Sequence, residues 1–334
     1  KRDAQDTKVT DALIQYYNHY KNNQDTSADK AWIIQRYRDI ATELNVDLSI
    51  ISTIQKSIES LECLPITNNP YLYDTFLAAG EDNNAKLIAA FFKENDLDAI
   101  YLHPSDAGLF VSSEPQNARL LPSSYEHIQK LRQGEQIYVI PGFFGVTMDN
   151  NICTFSRGGS DITGSLIAAG IHAELYENFT DVDGIFAAHP GVVNKPHSIS
   201  ELTYKEMREL AYAGFSVLHD EALIPVYRSK IPLVIKNTNN PSHPGTKVTL
   251  KHETLDLPVV GISGDDKFVS INISKYLMNR EIGFGRKVLQ ILEELNIRWE
   301  HIPTGIDDMS IVLRERELTP EKEERIVDYL QNEL

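Results

Sequence analysis

The chain has 334 residues, enough for two or three domains at roughly 100–200 residues each, and its 42% apolar and 24% charged content is that of an ordinary globular protein. Its 32 Lys and Arg against 48 Asp and Glu leave a net charge of −16, a surface that repels a phosphate backbone, so nucleic acid is not an expected partner. A site for an anionic ligand must therefore build its positive potential locally, from a few Arg, Lys and backbone N–H groups.

The chain opens on Lys1-Arg2-Asp3, with neither an initiator Met nor a signal-peptide pattern, and reads as a start inside a longer gene product. Val9, Leu13, Tyr16 and Tyr20 recur at helical spacing, and after a polar stretch at 22–29 a helical region runs to about residue 61. Cys63 and Cys153 lie far apart without a CxxC spacing, which suggests neither zinc nor a disulfide framework. Two free thiols fit a reducing cytosol, so a cytoplasmic protein is expected. Ala85, Ile88 and Phe92 mark the next helix, which includes the apolar run 87–92. No apolar run approaches the ~20 residues that span a bilayer, so no membrane segment is expected.

Residues 97–102 read as a short strand, 125–131 as a helix and 137–140 as a buried strand. A helix over 160–170, a strand over 174–178, a helix over 204–213 and a strand over 232–235 follow. Strands separated by helices predict an α/β domain over residues 1–250, a mostly parallel sheet covered on both faces with ligands at the carboxyl ends of its strands.

From residue 251 the pattern changes. Val269, Ile271 and Ile273 alternate as a half-buried strand, and Phe284, Val288, Ile291 and Leu295 form a helix stripe. Residues 297–302 and 311–313 read as two more strands; Thr319 and Pro320 then open a helix carrying Ile326, Leu330 and Leu334. The order is strand, helix, two strands, helix. A βαββαβ unit would need one more strand, so residues 251–334 read as an incomplete second domain.

Chemistry concentrates in Phe155-Ser156-Arg157-Gly158-Gly159-Ser160-Asp161-Ile162-Thr163-Gly164. Two glycines let the backbone turn tightly and approach a ligand, and the helix that starts there offers free N–H groups to an anion. Arg157 adds a planar fork for a carboxylate or phosphate, and Asp161 a partner for an ammonium group. Taken alone, these residues equally describe a capped helix beside a surface Arg. No Gly-Lys-Ser/Thr closes the loop, so it is not a Walker A motif. Thr180-Asp181-Val182-Asp183-Gly184 follows a predicted strand, where a nucleotide loop belongs; on its own it also describes an acidic turn.

The run Ser156–Asp161 resembles the Arg-Gly-Gly-Ser-Asp signature of the aspartate kinases, in the amino-acid kinase superfamily. The stretch from Phe179 to Phe186 is similar to that family's Thr-Asp-Val-Asp-Gly-Ile segment. Gly214–His219 and Asn237–Thr246 resemble its later landmarks, and Val9-Thr10-Asp11 and Gly80-Glu81 its earlier ones.

The resemblance implies ATP-dependent phosphorylation of the β-carboxylate of L-aspartate, with ATP and Mg²⁺ as cofactors and no metal held by the protein itself. Arg157 would grip the α-carboxylate, with Gly158 and Gly159 shaping the turn. Glu81 and Asp161 would surround the ammonium group, and Thr10 and Ser160 would supply hydroxyl contacts. Without the family match, Glu81 reads as a carboxylate at a helix N-terminus and Thr10 as a plain helix hydroxyl. Thr180, Asp181, Asp183, Gly184, Phe186 and Ser216 would contact the nucleotide.

Three departures bear on the phosphate side. Many relatives have Asp-Pro-Arg where this chain has His189-Pro190-Gly191, and a Lys where it has Ser216. Lys195, Arg228 and Lys236 are candidates to compensate, and the sequence does not choose among them. The family's opening Lys-Phe-Gly-Gly strand does not occur, and a fragment that truly starts at Lys1 is expected to turn over orders of magnitude more slowly.

Residues 258–334 resemble an ACT domain, the ferredoxin-like amino-acid-sensing module of the aspartate kinases. The match runs through Val260-Gly261-Ile262, the strand at 268–273, Gly283-Phe284 and Asp308-Met309-Ser310-Ile311. It implies an end-product effector, lysine first and threonine second, and a homodimer through these modules. Met278, Ile282, Gly283, Phe284, Trp299 and Glu300 are the candidate effector residues, with Met278 and Trp299 also explicable as core or interface packing. Two other readings stay open: a different kinase of the superfamily, for acetylglutamate, glutamate or uridylate, and a non-catalytic amino-acid sensor.

Overall fold

The computed structural model describes residues 6–156, 158–212, 218, 220–252, 258–264 and 266–333. The chain divides into two compact units, Lys1–Ser263 and Gly264–Leu334.

The first unit begins with four helices, α1 (Val9–Lys21), α2 (Ser27–Glu43), α3 (Ser49–Ser60) and α4 (Leu72–Glu94). Their apolar stripes recur at helical spacing, so each helix turns one face inward. Leu13 and Tyr16, Ile33 and Tyr37, Ile51, Ile54 and Ile58, and Leu72 and Phe76 meet in one cluster. Burying each such side chain contributes about 1.5–3 kcal/mol before chain entropy is counted. The Tyr16 ring packs edge-on against Phe76 at 4.9 Å, and its hydroxyl donates to the Ile58 carbonyl at 3.2 Å. Among the described residues no helix is long and apolar enough to cross a membrane.

The α/β part follows. β1 (Ala99–Tyr101), α5 (Ser124–Gln129), β2 (Ile137–Val139), β3 (Phe144–Val146), β4 (Ile152–Thr154) and α6 (Gly159–Gly170) lead into β5 (Tyr176–Thr180). After it come β6 (Ile185–Phe186), β7 (Ser198–Ile199), β8 (Glu201–Thr203), α7 (Tyr204–Tyr212), α8 (Asp220–Arg228), β9 (Leu233–Asn237) and β10 (Thr246–Thr249). Strands β5, β9, β10 and β8 lie in that order in one sheet; β5 runs parallel to β9 and β8 to β10, while β10 opposes β9. Strands β1 and β2 pair in parallel, β3 and β4 antiparallel. Leu166, Leu202, Met207, Leu223, Leu233 and Ile235 fill the core between sheet and helices.

One expected strand differs in burial. Ile137 is 43% exposed, because among the described residues β2 pairs only with β1, in a two-stranded sheet whose first pair includes Ile137.

The second unit contains β11 (Phe268–Ser274), α9 (Phe284–Glu294), β12 (Asp308–Arg314) and α10 (Pro320–Glu333). Strands β11 and β12 pair antiparallel over their full length, and Val288, Ile291, Ile311, Leu313 and Ile326 form the core. Thr319 caps α10, accepting the Lys322 N–H at 3.3 Å through its hydroxyl. The strand expected over 297–302 does not form. Only isolated bridges, His301 to Val312 and Thr304 to Met309, reach β12. Pro303 has no N–H to extend the ladder, and the Gly305 N–H turns back to the Asp308 carbonyl at 2.8 Å. Leu334 lies outside the described residues.

Candidate active site

Strand β4 leads through Phe155 and Ser156 to the glycine pair that opens α6. Gly158 has φ +73°, a left-handed conformation a side chain would strain, and its carbonyl accepts the Ile162 N–H at 2.9 Å. A Cβ on Gly159 would lie 2.8 Å from Phe143 Cδ2 and 3.1 Å from Phe143 Cα. The Thr163 hydroxyl donates to the Gly159 carbonyl at 2.9 Å and accepts the Phe143 N–H at 3.0 Å; the Phe155 N–H donates to the Phe143 carbonyl at 2.9 Å. A Cβ on Gly142 would meet Ser160 at 3.0 Å. The turn at 141–143 is thus laid across the first turn of α6, whose leading N–H groups have no partner within the helix. Ser160 is exposed and Asp161 half-buried; Arg157 lies outside the described residues.

Asp161 is held from β5. The Asn178 amide donates to Asp161 Oδ1 at 2.9 Å, and the Tyr176 hydroxyl to the Asp161 carbonyl at 3.3 Å.

Glu81 lies near the middle of the 23-residue α4, which overturns its reading as a helix N-terminal carboxylate. It is half-buried, and burial pushes its pKa up. Among the described residues it has no hydrogen-bond or ion-pair partner. Beside it, Gly80 lets α1 come close: a Cβ there would be 3.0 Å from Leu13 Cδ1 and 3.7 Å from Val9 Cγ1. The buried Tyr37 hydroxyl fixes the Gly80 carbonyl at 2.8 Å. The opening turn of α1, with Thr10 exposed on it, therefore sits against the Gly80-Glu81 step.

Helix α4 is also tied to β4. Asp74, fully buried, accepts at Oδ2 the Thr154 N–H at 2.7 Å, the Thr154 hydroxyl at 3.0 Å and the Gln116 N–H at 2.9 Å. One carboxylate thus joins the helix bearing Glu81 to the strand that feeds the glycine turn.

The second cluster is at the carboxyl ends of β5 and β9. The Thr180 carbonyl accepts the Thr238 N–H at 2.8 Å, and Asp181 is exposed. Asp183 accepts the amides of Asn237 at 2.9 Å and Asn240 at 3.2 Å, which hold its pKa below the usual carboxylate value, with His243 adding to the effect. Gly184 is buried with φ +137°, and a Cβ on it would come within 2.6 Å of Thr246 Oγ1. Thr246 accepts the Ile185 N–H at 2.8 Å and donates to the Ile199 carbonyl at 2.6 Å. Phe186 packs half-buried on the core, and Ser216 lies outside the described residues. Of the candidate compensating cations, Lys236 stands 5.6 Å over the Phe179 ring and 3.4 Å from Glu177.

The model of the amino acid kinase family matches residues 7–237. Aspartokinase 3 of Bacillus subtilis is 51% identical over 334 residues, spanning 100% of this chain and 74% of that protein. The chain belongs to the aspartokinases, within the amino acid kinase family. Chloroplastic aspartokinase 1 of Arabidopsis thaliana is 26% identical over 86% of the chain and 53% of its own length. Among solved structures, Clostridium acetobutylicum aspartate kinase superposes with TM-score 0.84 at 36% identity, covering 100% of this chain and 74% of that one. E. coli aspartokinase III, solved in complex with aspartate and ADP, shares the fold with TM-score 0.73 at 23% identity, over 95% of this chain and 74% of its own.

Within this aspartokinase framework, four residues with structural roles escaped sequence reading: Asp74, Phe143, Tyr176 and Asn178. An Asn inside a run of strand residues and the Pro141-Gly142 turn were the available signals.

The six candidate effector residues differ in burial. Met278 and Phe284 are core residues of the second unit, as the packing reading of Met278 has it. Gly283 caps α9 with φ +85°, and Ile282 is 100% exposed. Trp299 is 47% exposed, which excludes core packing, and Glu300 accepts a bond from Arg314 Nε at 2.8 Å. None of the six lines the cavity of about 440 Å³ in this unit, which is formed by residues including Asn272, Ser274, Thr304 and Asp308.

Proposed function

We propose that the chain phosphorylates the β-carboxylate of L-aspartate with ATP, giving 4-phospho-L-aspartate, the first step toward lysine, threonine and methionine. The observation that carries this is the 51% identity to Bacillus subtilis aspartokinase 3 along the entire chain. The nucleophile is already ionised at neutral pH, with a reference pKa of about 3.9, so no general base is needed. The obstacle is repulsion between that carboxylate and the triphosphate, which positioning and positive groups must overcome.

Glu81 and Asp161 take the substrate ammonium, Arg157 its α-carboxylate, and Thr10 and Ser160 its remaining polar contacts, over the turn of Gly158 and Gly159. Thr180, Asp181, Asp183, Gly184, Phe186 and Ser216 receive the nucleotide. Magnesium, when bound, neutralises triphosphate charge. The described residues hold no group of three or more His, Cys, Asp or Glu side chains that could bind a metal, so its oxygen ligands would come largely from the phosphates.

The second unit is an ACT-type regulatory domain that senses lysine or, second, threonine, and pairs with that of another copy in a cytoplasmic homodimer. The strand–helix–strand–helix order and a cavity of about 440 Å³ with Asp308 among its lining residues support this reading. Trapping the acyl phosphate with hydroxylamine tests the activity. Aspartate should yield the hydroxamate with ADP release, while acetylglutamate, glutamate and UMP should yield no ADP. Turnover of any of these three in place of aspartate would refute the assignment.

A further inference from the structure

Strand β5 carries a polar pair where its inward face would otherwise be apolar. Asn178 is 8% exposed, and on the same face, two residues earlier, stands Tyr176. The Asn178 amide reaches both Asp161 Oδ1, at 2.9 Å, and the Tyr176 hydroxyl, at 3.1 Å. The Tyr176 hydroxyl reaches the backbone carbonyl of Asp161 at 3.3 Å. Space for the phenol comes from Gly164, one turn along α6, where a Cβ would lie 2.6 Å from the hydroxyl oxygen. Burial raises the Tyr176 pKa to about 12, so the phenol stays protonated and able to donate.

We propose that Asn178 and Tyr176 are positioning residues that orient Asp161 toward the ammonium group of the substrate. The inference rests on the reading of Asp161 as an ammonium contact. An amide suits this purpose better than a cation. Lys or Arg at residue 178 would add a charge of its own beside the carboxylate, whereas a neutral donor fixes one oxygen without adding one. The phenol acts on the backbone, so side chain and main chain of Asp161 are held by two neighbouring groups of one strand. The Asn178 bond favours the staggered χ1 well in which Asp161 Oδ1 meets the amide.

The test is steady-state kinetics of the intact gene product with three substitutions, each checked by thermal unfolding. Asn178→Leu should raise KM for aspartate about tenfold, the loss expected for a charge-assisted hydrogen bond, with KM for ATP changed less than about twofold. Tyr176→Phe, which keeps the packing, should raise KM for aspartate about threefold and serves if Asn178→Leu does not fold. Asp161→Asn should impair aspartate use more than either. Wild-type KM for aspartate in the Asn178 and Tyr176 variants, alongside an impaired Asp161→Asn, overturns the inference alone. Parallel losses for aspartate and ATP with a lowered unfolding temperature also overturn it, because they mark a purely structural role. An unimpaired Asp161→Asn overturns instead the site reading beneath it.

Discussion

At Glu81 and Gly159 single substitutions probe the proposed aspartate site most directly. Glu81 is half-buried, has no partner among the described residues, and burial raises its pKa. Between the ordinary carboxylate value and the raised one, the folded chain binds more protons than the unfolded chain, so stability falls as pH rises through that window. Glu81→Gln should abolish that fall while raising KM for aspartate at least tenfold, on the order of a lost charged hydrogen bond. Urea midpoints at pH 4 and pH 8 check the first effect, and parallel pH dependence in variant and wild type would contradict it. Gly159→Ala drives a methyl into Phe143, 2.8 Å away, and should cost about 1–3 kcal/mol in urea unfolding while weakening aspartate binding. The glycines and Asp161 were legible in sequence because their chemistry is local: a tight turn, then a helix start. Phe143 and Asn178 were not, because their roles come from contacts 16 and 17 residues away that only the fold creates, as the Asn178–Asp161 separation of 17 shows.

Helices were read more reliably than strands. The stripe Ile51, Ile54, Ile58 and the stripe Phe284, Val288, Ile291 each specify a buried face over several turns, so the period survives tertiary context. Strands of three residues carry too little alternation to report their neighbours. Ile137 is apolar and yet exposed, and 297–302 is apolar enough for a strand but ends on Pro303. Nor did periodicity reveal that Asp74 joins α4 to β4, since a carboxylate in a first helical turn ordinarily reads as favoured by the helix dipole. Asp74→Ala would strip the buried Thr154 of its N–H and hydroxyl partner. It should lower stability by about 3 kcal/mol, read from the urea midpoint, because unpaired buried polar groups cost about 1–3 kcal/mol each. It should also raise KM for aspartate, because α4 carries Glu81. A shift below about 0.5 kcal/mol would mean that the link contributes nothing beyond a surface contact.

At the scale of the molecule, a chain of net charge −16 that handles two anionic substrates must concentrate its positive groups at helix starts and a few cations. Its activity should therefore fall less steeply with salt than that of a protein with a basic surface, since the compensation is local. The second unit has its own hydrophobic core, and the sensing role proposed for it predicts lysine binding in calorimetry of the intact gene product at millimolar concentration; no heat from lysine or threonine would remove the regulatory reading. The most direct test of the central claim is the hydroxamate assay on the intact gene product, run on wild type and Asp161→Asn. The account predicts aspartate-dependent, ATP-dependent acyl phosphate from the wild type and about a hundredfold less from the variant at subsaturating aspartate, on the order of a lost charged contact to the ammonium group. Equal yields from the two, or acyl phosphate only from another acid, would contradict it.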